Sequence, residues 1–276
     1  MSRLPEPTSL VRGTGLPAGS LLQKVLVAEL ARLADLPTPP ALVHGAAGRP
    51  FETALRRDAA LRGGAVIAEY KQASPSLGPF ALGTPLLAQL EAYVEGGASA
   101  FSILAEPAYF KGSTEHLRKA ADLGLPRLYK GFVISEAQLA EAEASGAEAV
   151  LLIARVLKAH TAAFAQAARA RGLEPLVELH DLTEVGFAQA AEARLVGINA
   201  RDLSTFNLGV PHAGPLRQAF PDAVLIRESG LATPEAARTA LRAGFDAVLI
   251  GEALMRSADP KGFLARILAD LGAEGA

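Results

Sequence analysis

The chain has 276 residues, of which 50% are hydrophobic and 20% charged, with a formal net charge of −2 and no cysteine. That composition can bury a large core and excludes a disordered chain. It offers no basic block for nucleic acid or an anionic membrane surface, and without cysteine it has no disulfide, thiolate nucleophile or Cys-based zinc site. No apolar run approaches the roughly 18 residues of a membrane span. The N-terminal stretch MSRLPEPTSLVRGTGLPAG carries Pro and Gly where a signal peptide needs an apolar core. A cytoplasmic protein with no membrane partner is expected, and the length suits one large domain or two small ones.

The elements are taken in chain order. SLLQKVLVAELARLADL (20–36) has the period of an amphipathic helix, PFETALRR (50–57) starts a second, and a Pro-rich linker separates them. Residues 1–64 therefore read as a helical N-terminal extension covering one end of the domain built by residues 65–276, as a plug beneath it or as a lid over it. From residue 65 short apolar runs alternate with longer amphipathic ones. The predicted strands are 65–70, 99–104, 127–132, 148–154, 174–180, 194–200, 223–228 and 246–252. Each is rich in Val, Ile and Leu and apolar on both faces, as a parallel strand buried on both sides must be. The clearest helices are 85–97, 113–124, 135–146 and 233–244. Ser113, Ser135 and Thr233 stand at their N-caps, and Gly97, Gly124, Gly146 and Gly244 at their C-terminal ends. The phrase "helix, Gly-Ala/Phe-x-Ala, strand" recurs in GGASAFSIL, SGAEAVLLI and AGFDAVLI. Eight such units make an α/β fold of the (β/α)8 TIM-barrel type, with an open doubly wound sheet as the alternative. Residues 1–276 are read as a single barrel domain with 1–64 as its extension.

In such a barrel chemistry gathers at the C-terminal ends of the strands. The first strand ends in Glu69 and Lys71, the third in Lys130, the fifth in Glu178 and His180, the sixth in Asn199 and Arg201, the seventh in Glu228, Ser229 and Gly230, and the eighth in Gly251 and Glu252. Side chains at i and i+2 share a strand face. Glu69 with Lys71, Glu178 with His180 and Asn199 with Arg201 are three such pairs, each able to face one central mouth. The last two loops place Ser229-Gly230 and Gly251-Glu252 before helices, where small residues and helix N-termini suit an anion. These loops point to a phosphorylated small-molecule substrate. His44, His116 and His160 have no metal-ligand spacing and are expected at the surface. His180 either tunes Glu178 or makes a structural hydrogen bond, and Asp202 pairs with Arg201 or caps a helix.

The motifs IAEYKQASPS, YFKGS, AVLLIAR, LVELHD, VGINARDLSTF, IRESGLATPEAA and AVLIGEALMR, in order over roughly residues 50–265, resemble the indole-3-glycerol phosphate synthase family. The resemblance implies closure of 1-(2-carboxyphenylamino)-1-deoxyribulose 5-phosphate to indole-3-glycerol phosphate, with loss of carbon dioxide and water and no metal or organic cofactor. It implies that Lys130 is the general acid at the ketone oxygen and that Glu178 is an acid or base in the dehydration. Glu69 would orient the lysines and the substrate, and Lys71 would contact the phosphate and move protons. Ser74 and Asn199 would hold polar groups of the substrate. Arg201, Ser229, Gly230 and Gly251 would bind anionic groups, and Phe110 and Phe132 would enclose the aromatic ring. Two positions depart from the family pattern. YKGF stands where R-K-D-F is usual, giving Tyr129 and Gly131, and Leu77 replaces a lysine after SPS. Both spare the core catalytic residues. Another phosphate-binding barrel would share the last two loops without needing Glu69, Lys71 and Lys130 together. The alternative outside enzymes is a non-catalytic homologue that binds a phosphorylated metabolite as sensor or scaffold. A monomer or homodimer is expected.

Overall fold

The computed structural model describes residues 4–36, 48–75, 78–80, 84–199, 213–269 and 271. Eight parallel strands close into a barrel: β1 (Ala65–Tyr70), β2 (Ala100–Leu104), β3 (Arg127–Lys130), β4 (Ala149–Ile153), β5 (Glu174–Leu179), β6 (Leu195–Asn199), β7 (Val224–Glu228) and β8 (Ala247–Ile250). Each pairs with its sequence neighbour, and β1 closes the ring on β8 through Ala65 opposite Ala247. The unbroken Val/Ile/Leu runs follow from this topology, because one face of every strand fills the barrel and the other packs under helices. A two-residue hairpin, Ala73–Ser74 with Gly78–Pro79, follows β1.

The outer helices are α4 (Leu86–Glu95), α5 (Pro107–Phe110), α6 (Thr114–Lys119), α7 (Glu136–Ala144), α8 (Ala154–Leu157), α9 (Thr161–Ala170), α10 (Val185–Ala190), α11 (Ala213–Ala219), α12 (Pro234–Arg242), α13 (Glu252–Arg256) and α14 (Pro260–Leu268). Ser113, Ser135 and Thr233 accept backbone N–H bonds at the N-caps of α6, α7 and α12. Gly97, Gly124, Gly146 and Gly244 all have positive φ. Among the described residues no helix is long and apolar enough to cross a membrane.

The extension divides between the two ends of the barrel instead of covering one. Helix α3 (Pro50–Arg62) lies under the base, where the Glu174 carboxylate at the start of β5 accepts from the N–H groups of Phe51 and Glu52 at 2.7 and 2.9 Å. Helices α1 (Pro7–Gly13) and α2 (Leu21–Leu33) sit at the other end. Lys158 Nζ, in the 3-10 turn after α8, donates to Gly13 O at 2.9 Å. Glu29 and Arg32 of α2 reach α7, which follows β3.

Candidate active site

Strand register gathers the charged strand ends at one level. Asn199 stands opposite Glu228, Glu178 opposite Gly197, Lys130 opposite Leu104, and Glu69 opposite Ser102. Above them opens a cavity of about 460 Å³. Glu69, Lys71, Lys130, Glu178, Asn199 and Glu228 line its floor. Leu104, Leu151, Ile153 and Leu249 make the apolar walls, and Phe110 and Phe132 stand at one side with ring centroids 5.8 Å apart.

Lys130 is the hub. Its Nζ lies 2.5 Å from Glu228 Oε2 and 3.3 Å from Glu178 Oε2. Burial alone would lower its pKa, but the charges of Glu228, Glu178 and Glu69 raise it above the ordinary lysine value. Burial pushes the Glu228 carboxyl up, to about 8, and the nearby Glu178 charge adds to the rise against the pull of Lys130. Glu178 goes the other way: burial works against its charge, but Lys130, His180 and hydrogen bonds from Glu228 and Asn199 hold it low. Glu69 is also held low against its burial, by Lys71 and Lys130, and Lys71 Nζ donates to its Oε1 at 2.8 Å. Two carboxyls pushed apart in this way have different tasks open to them, one keeping its proton and one ready to take it.

Two glycines make room for these acids. A Cβ at Gly251 would collide with Glu69 Oε1, and one at Gly197 with Glu228 Oε1. The rim opposite the phenylalanines consists of Ser229, Gly230, Leu231 and Ala232 after β7 and Gly251, Glu252 and Ala253 after β8. Ser229 (φ 60°) and Gly230 (φ 74°) are both left-handed, which turns the chain sharply at the cavity edge. Glu252 has Arg256, another lining residue, at 4.0 Å on α13.

The cavity thus brings together Lys130, Glu178, Glu69, Lys71, Asn199, Phe110, Phe132, Ser229, Gly230, Gly251 and Glu252. Ser74 is buried in the hairpin after β1 and is not one of the lining residues. Arg201, Asp202, Leu77 and His44 lie outside the described residues. The His180 side chain is buried between Glu178 (3.5 Å) and Glu184 (3.9 Å), and neither ring nitrogen makes a hydrogen bond among the described residues. His160 is exposed, but His116 is half-buried and packs edge-on against Tyr70 at 5.4 Å. Sequence reasoning gave Glu228 no role. Its i±2 neighbours are Ile226 and Gly230, so the pairing signal that marked Glu69 and Glu178 is absent, and only the fold shows it against Lys130. Arg256 and Phe263 were missed too, since they line the cavity from helices beyond the last strand.

A closed eight-stranded parallel barrel with acid–base groups on its floor and two small-residue loops on its rim has the architecture of a (β/α)8 enzyme. Comparison with known proteins narrows the class. A family model described as indole-3-glycerol phosphate synthase matches residues 25–267. The chain is 44% identical over 200 residues to an indole-3-glycerol phosphate synthase of Listeria monocytogenes, covering 71% of this chain and 79% of that one. It is 40% identical over 214 residues to that of Chloroherpeton thalassium, covering 76% and 82%, and 44% identical over 215 residues to indole-3-glycerol phosphate synthase 2 of Streptomyces coelicolor, covering 77% and 82%. The chain belongs to the indole-3-glycerol phosphate synthase family. Among solved structures, a thiamine phosphate pyrophosphorylase from Pyrococcus furiosus matches the fold alone, with a TM-score of 0.54 at 15% identity over 75% of this chain and 94% of that one.

Proposed function

We propose that the chain converts 1-(2-carboxyphenylamino)-1-deoxyribulose 5-phosphate to indole-3-glycerol phosphate, carbon dioxide and water. The observation that carries the residue roles is Lys130, a buried ammonium held by Glu228 and Glu178 on the floor of a cavity with aromatic rings on one side and a small-residue cradle on the other. The ring of the substrate sits against Phe110 and Phe132. Its phosphate lies on the N–H groups around Ser229, Gly230 and Gly251, with Glu252 contributing backbone only and Arg201 adding charge. Lys71 faces the phosphate side.

The ring carbon that bears the carboxylate attacks the ketone carbon, and Lys130 gives its proton to the ketone oxygen, which becomes a hydroxyl. The dearomatised ring then loses its carboxylate as carbon dioxide and recovers aromaticity. Apolar walls that exclude water favour this step. The hydroxyl departs as water, taking a proton from the acid side of the site, and Glu178 accepts the proton released as the second ring double bond forms. Glu228 holds the proton that restores Lys130. Glu69 fixes Lys71, and Asn199 orients Glu178 and the substrate. Ser74 acts from behind, through the loop after β1. The scheme needs groups from one chain only, which suits a monomer or a homodimer of independent sites working on a soluble cytoplasmic metabolite.

The test is direct: incubate the purified chain with the substrate and follow indole fluorescence at saturating concentration. Saturable binding with no fluorescent product would sink the enzyme reading in favour of a sensor or scaffold. Gly131 gives that alternative no support, because the Tyr129 ring occupies the space beside it and Lys130 keeps its two carboxylates.

A further inference from the structure

The turn that follows Lys130 is enclosed by a circuit of polar side chains, two of them on α2. Gln138 Oε1 accepts from Ile134 N at 2.8 Å, and its Nε2 donates to Phe132 O at 3.0 Å, so one amide ties the middle of the turn to its far end. The same Nε2 donates to Glu29 Oε2 at 2.6 Å. Arg32 grips Glu29 Oε2 through Nε at 3.1 Å and Nη2 at 2.8 Å, and its Nη1 reaches both oxygens of Glu141 at 2.9 and 3.0 Å. Tyr129 OH donates to Glu141 Oε2 at 2.7 Å. The Tyr129 ring then covers Gly131, where a Cβ would meet Cε1 at 2.6 Å. The circuit starts beside one end of the turn, passes through α2 and returns to the other.

None of these five side chains lines the cavity, but the residues they enclose do: Lys130, Gly131 and Phe132. Glu29, Gln138 and Tyr129 are buried and the Arg32–Glu141 pair keeps 19% of each side chain exposed; polar groups drawn out of water in this way are a weak way to add stability, since their desolvation offsets much of their attraction. A fully bonded polar network instead admits one geometry. The energetics therefore favour a positional role, and the position held is that of the aromatic wall.

We infer that Glu29 and Arg32 of α2 are positioning residues for the reaction, fixing the Gly131–Ile134 turn through Gln138, Glu141 and Tyr129 and so setting where Phe132 meets the substrate ring beside Lys130. The kinetic consequence rests on the proposed function above, whereas the hold on the turn does not.

Hydrogen exchange of the segment 131–134 and steady-state kinetics, both measured well below each variant's Tm, test the inference on Arg32→Met, Arg32→Lys and Tyr129→Phe. In Arg32→Met the loss of charged hydrogen bonds raises exchange at the Ile134 amide about tenfold or more. It raises KM about tenfold while kcat stays within about threefold, because the grip on the ring is made alike in ground and transition states. Arg32→Lys keeps the charge without the fork and falls between the two. Tyr129→Phe removes one hydroxyl, folds even where Arg32→Met does not, and moves both readouts the same way by less. Exchange at the turn equal to that of the parent chain overturns the inference, as does raised exchange with KM and kcat unchanged. A parent chain that makes no indole product refutes the proposed reaction, and the exchange arm alone then decides whether α2 holds the turn.

Discussion

The two ends of the barrel carry acids of the same kind and use them differently. At the base, Glu148 accepts from Arg127 N at 2.7 Å, Glu174 from Phe51 N and Glu52 N, and Asp246 from Leu225 N at 2.7 Å. Arginines complete two of these sites, Arg127 on Glu148 at 2.8 Å and Arg217 on Asp246 at 2.6 Å. Each carboxylate there closes a backbone gap between neighbouring elements. At the top, the partners of Glu69, Glu178 and Glu228 are side chains, Lys71, Lys130 and Ser102 among them, and Glu228 Oε1 is buried with no partner among the described residues. A charge at a strand end is therefore no sign of function by itself. What separates the ends is whether the acid is satisfied by the backbone or left among side chains facing a cavity.

That contrast is broken or sharpened first at Lys130. Lys130→Ala should lower kcat by about two orders of magnitude or more, within the range for loss of a general acid. A rate near that of the parent chain would remove Lys130 from its role. The next effect is on pH dependence. Glu228 binds its proton more tightly in the folded chain than at the ordinary value of 4.5, up to about 8. The folded state thus holds the extra proton across that window, and stability falls as pH rises through it. Glu228→Gln cannot titrate, so the variant gains on the parent chain between about pH 4.5 and 8, read as the difference in denaturant midpoint. A difference that stays flat over that range removes the displaced proton from Glu228.

The sequence carried the barrel because its signals are local. Apolar runs buried on both faces, Ser or Thr caps and left-handed glycines repeat along the chain, and none needs tertiary knowledge. Much of the floor was legible for a similar reason, since Glu69 with Lys71 and Glu178 with His180 follow from strand alternation. Glu228 escaped because its partner Lys130 is 98 residues away, brought close only when β3 and β7 curve to opposite sides of the barrel. Gly131 departs from the family pattern for a reason that only packing shows, since the Tyr129 ring fills the space a Cβ would take. The extension could not be placed from periodicity, because an amphipathic helix shows which face it buries and not which end of a barrel it meets. Its helices divide, with α3 at the base and α1 and α2 at the opposite end.

The smallest effect on rate belongs to the base. Glu174 carries two backbone bonds at the start of α3, and burial pushes its carboxyl up against the pull of those amides. Glu174→Ala leaves the Phe51 and Glu52 N–H groups without acceptors in a region closed to water, which costs about 1–3 kcal/mol for each unmet donor. The denaturant midpoint should fall accordingly, with kcat and KM within about twofold of the parent chain, since the base shares no hydrogen bond with the cavity floor among the described residues. Stability is thereby lost without rate at one end, whereas Lys130→Ala loses rate at the other. If Glu174→Ala slowed turnover by as much as Lys130→Ala, the two ends would be coupled through the strands and their division of labour would fail.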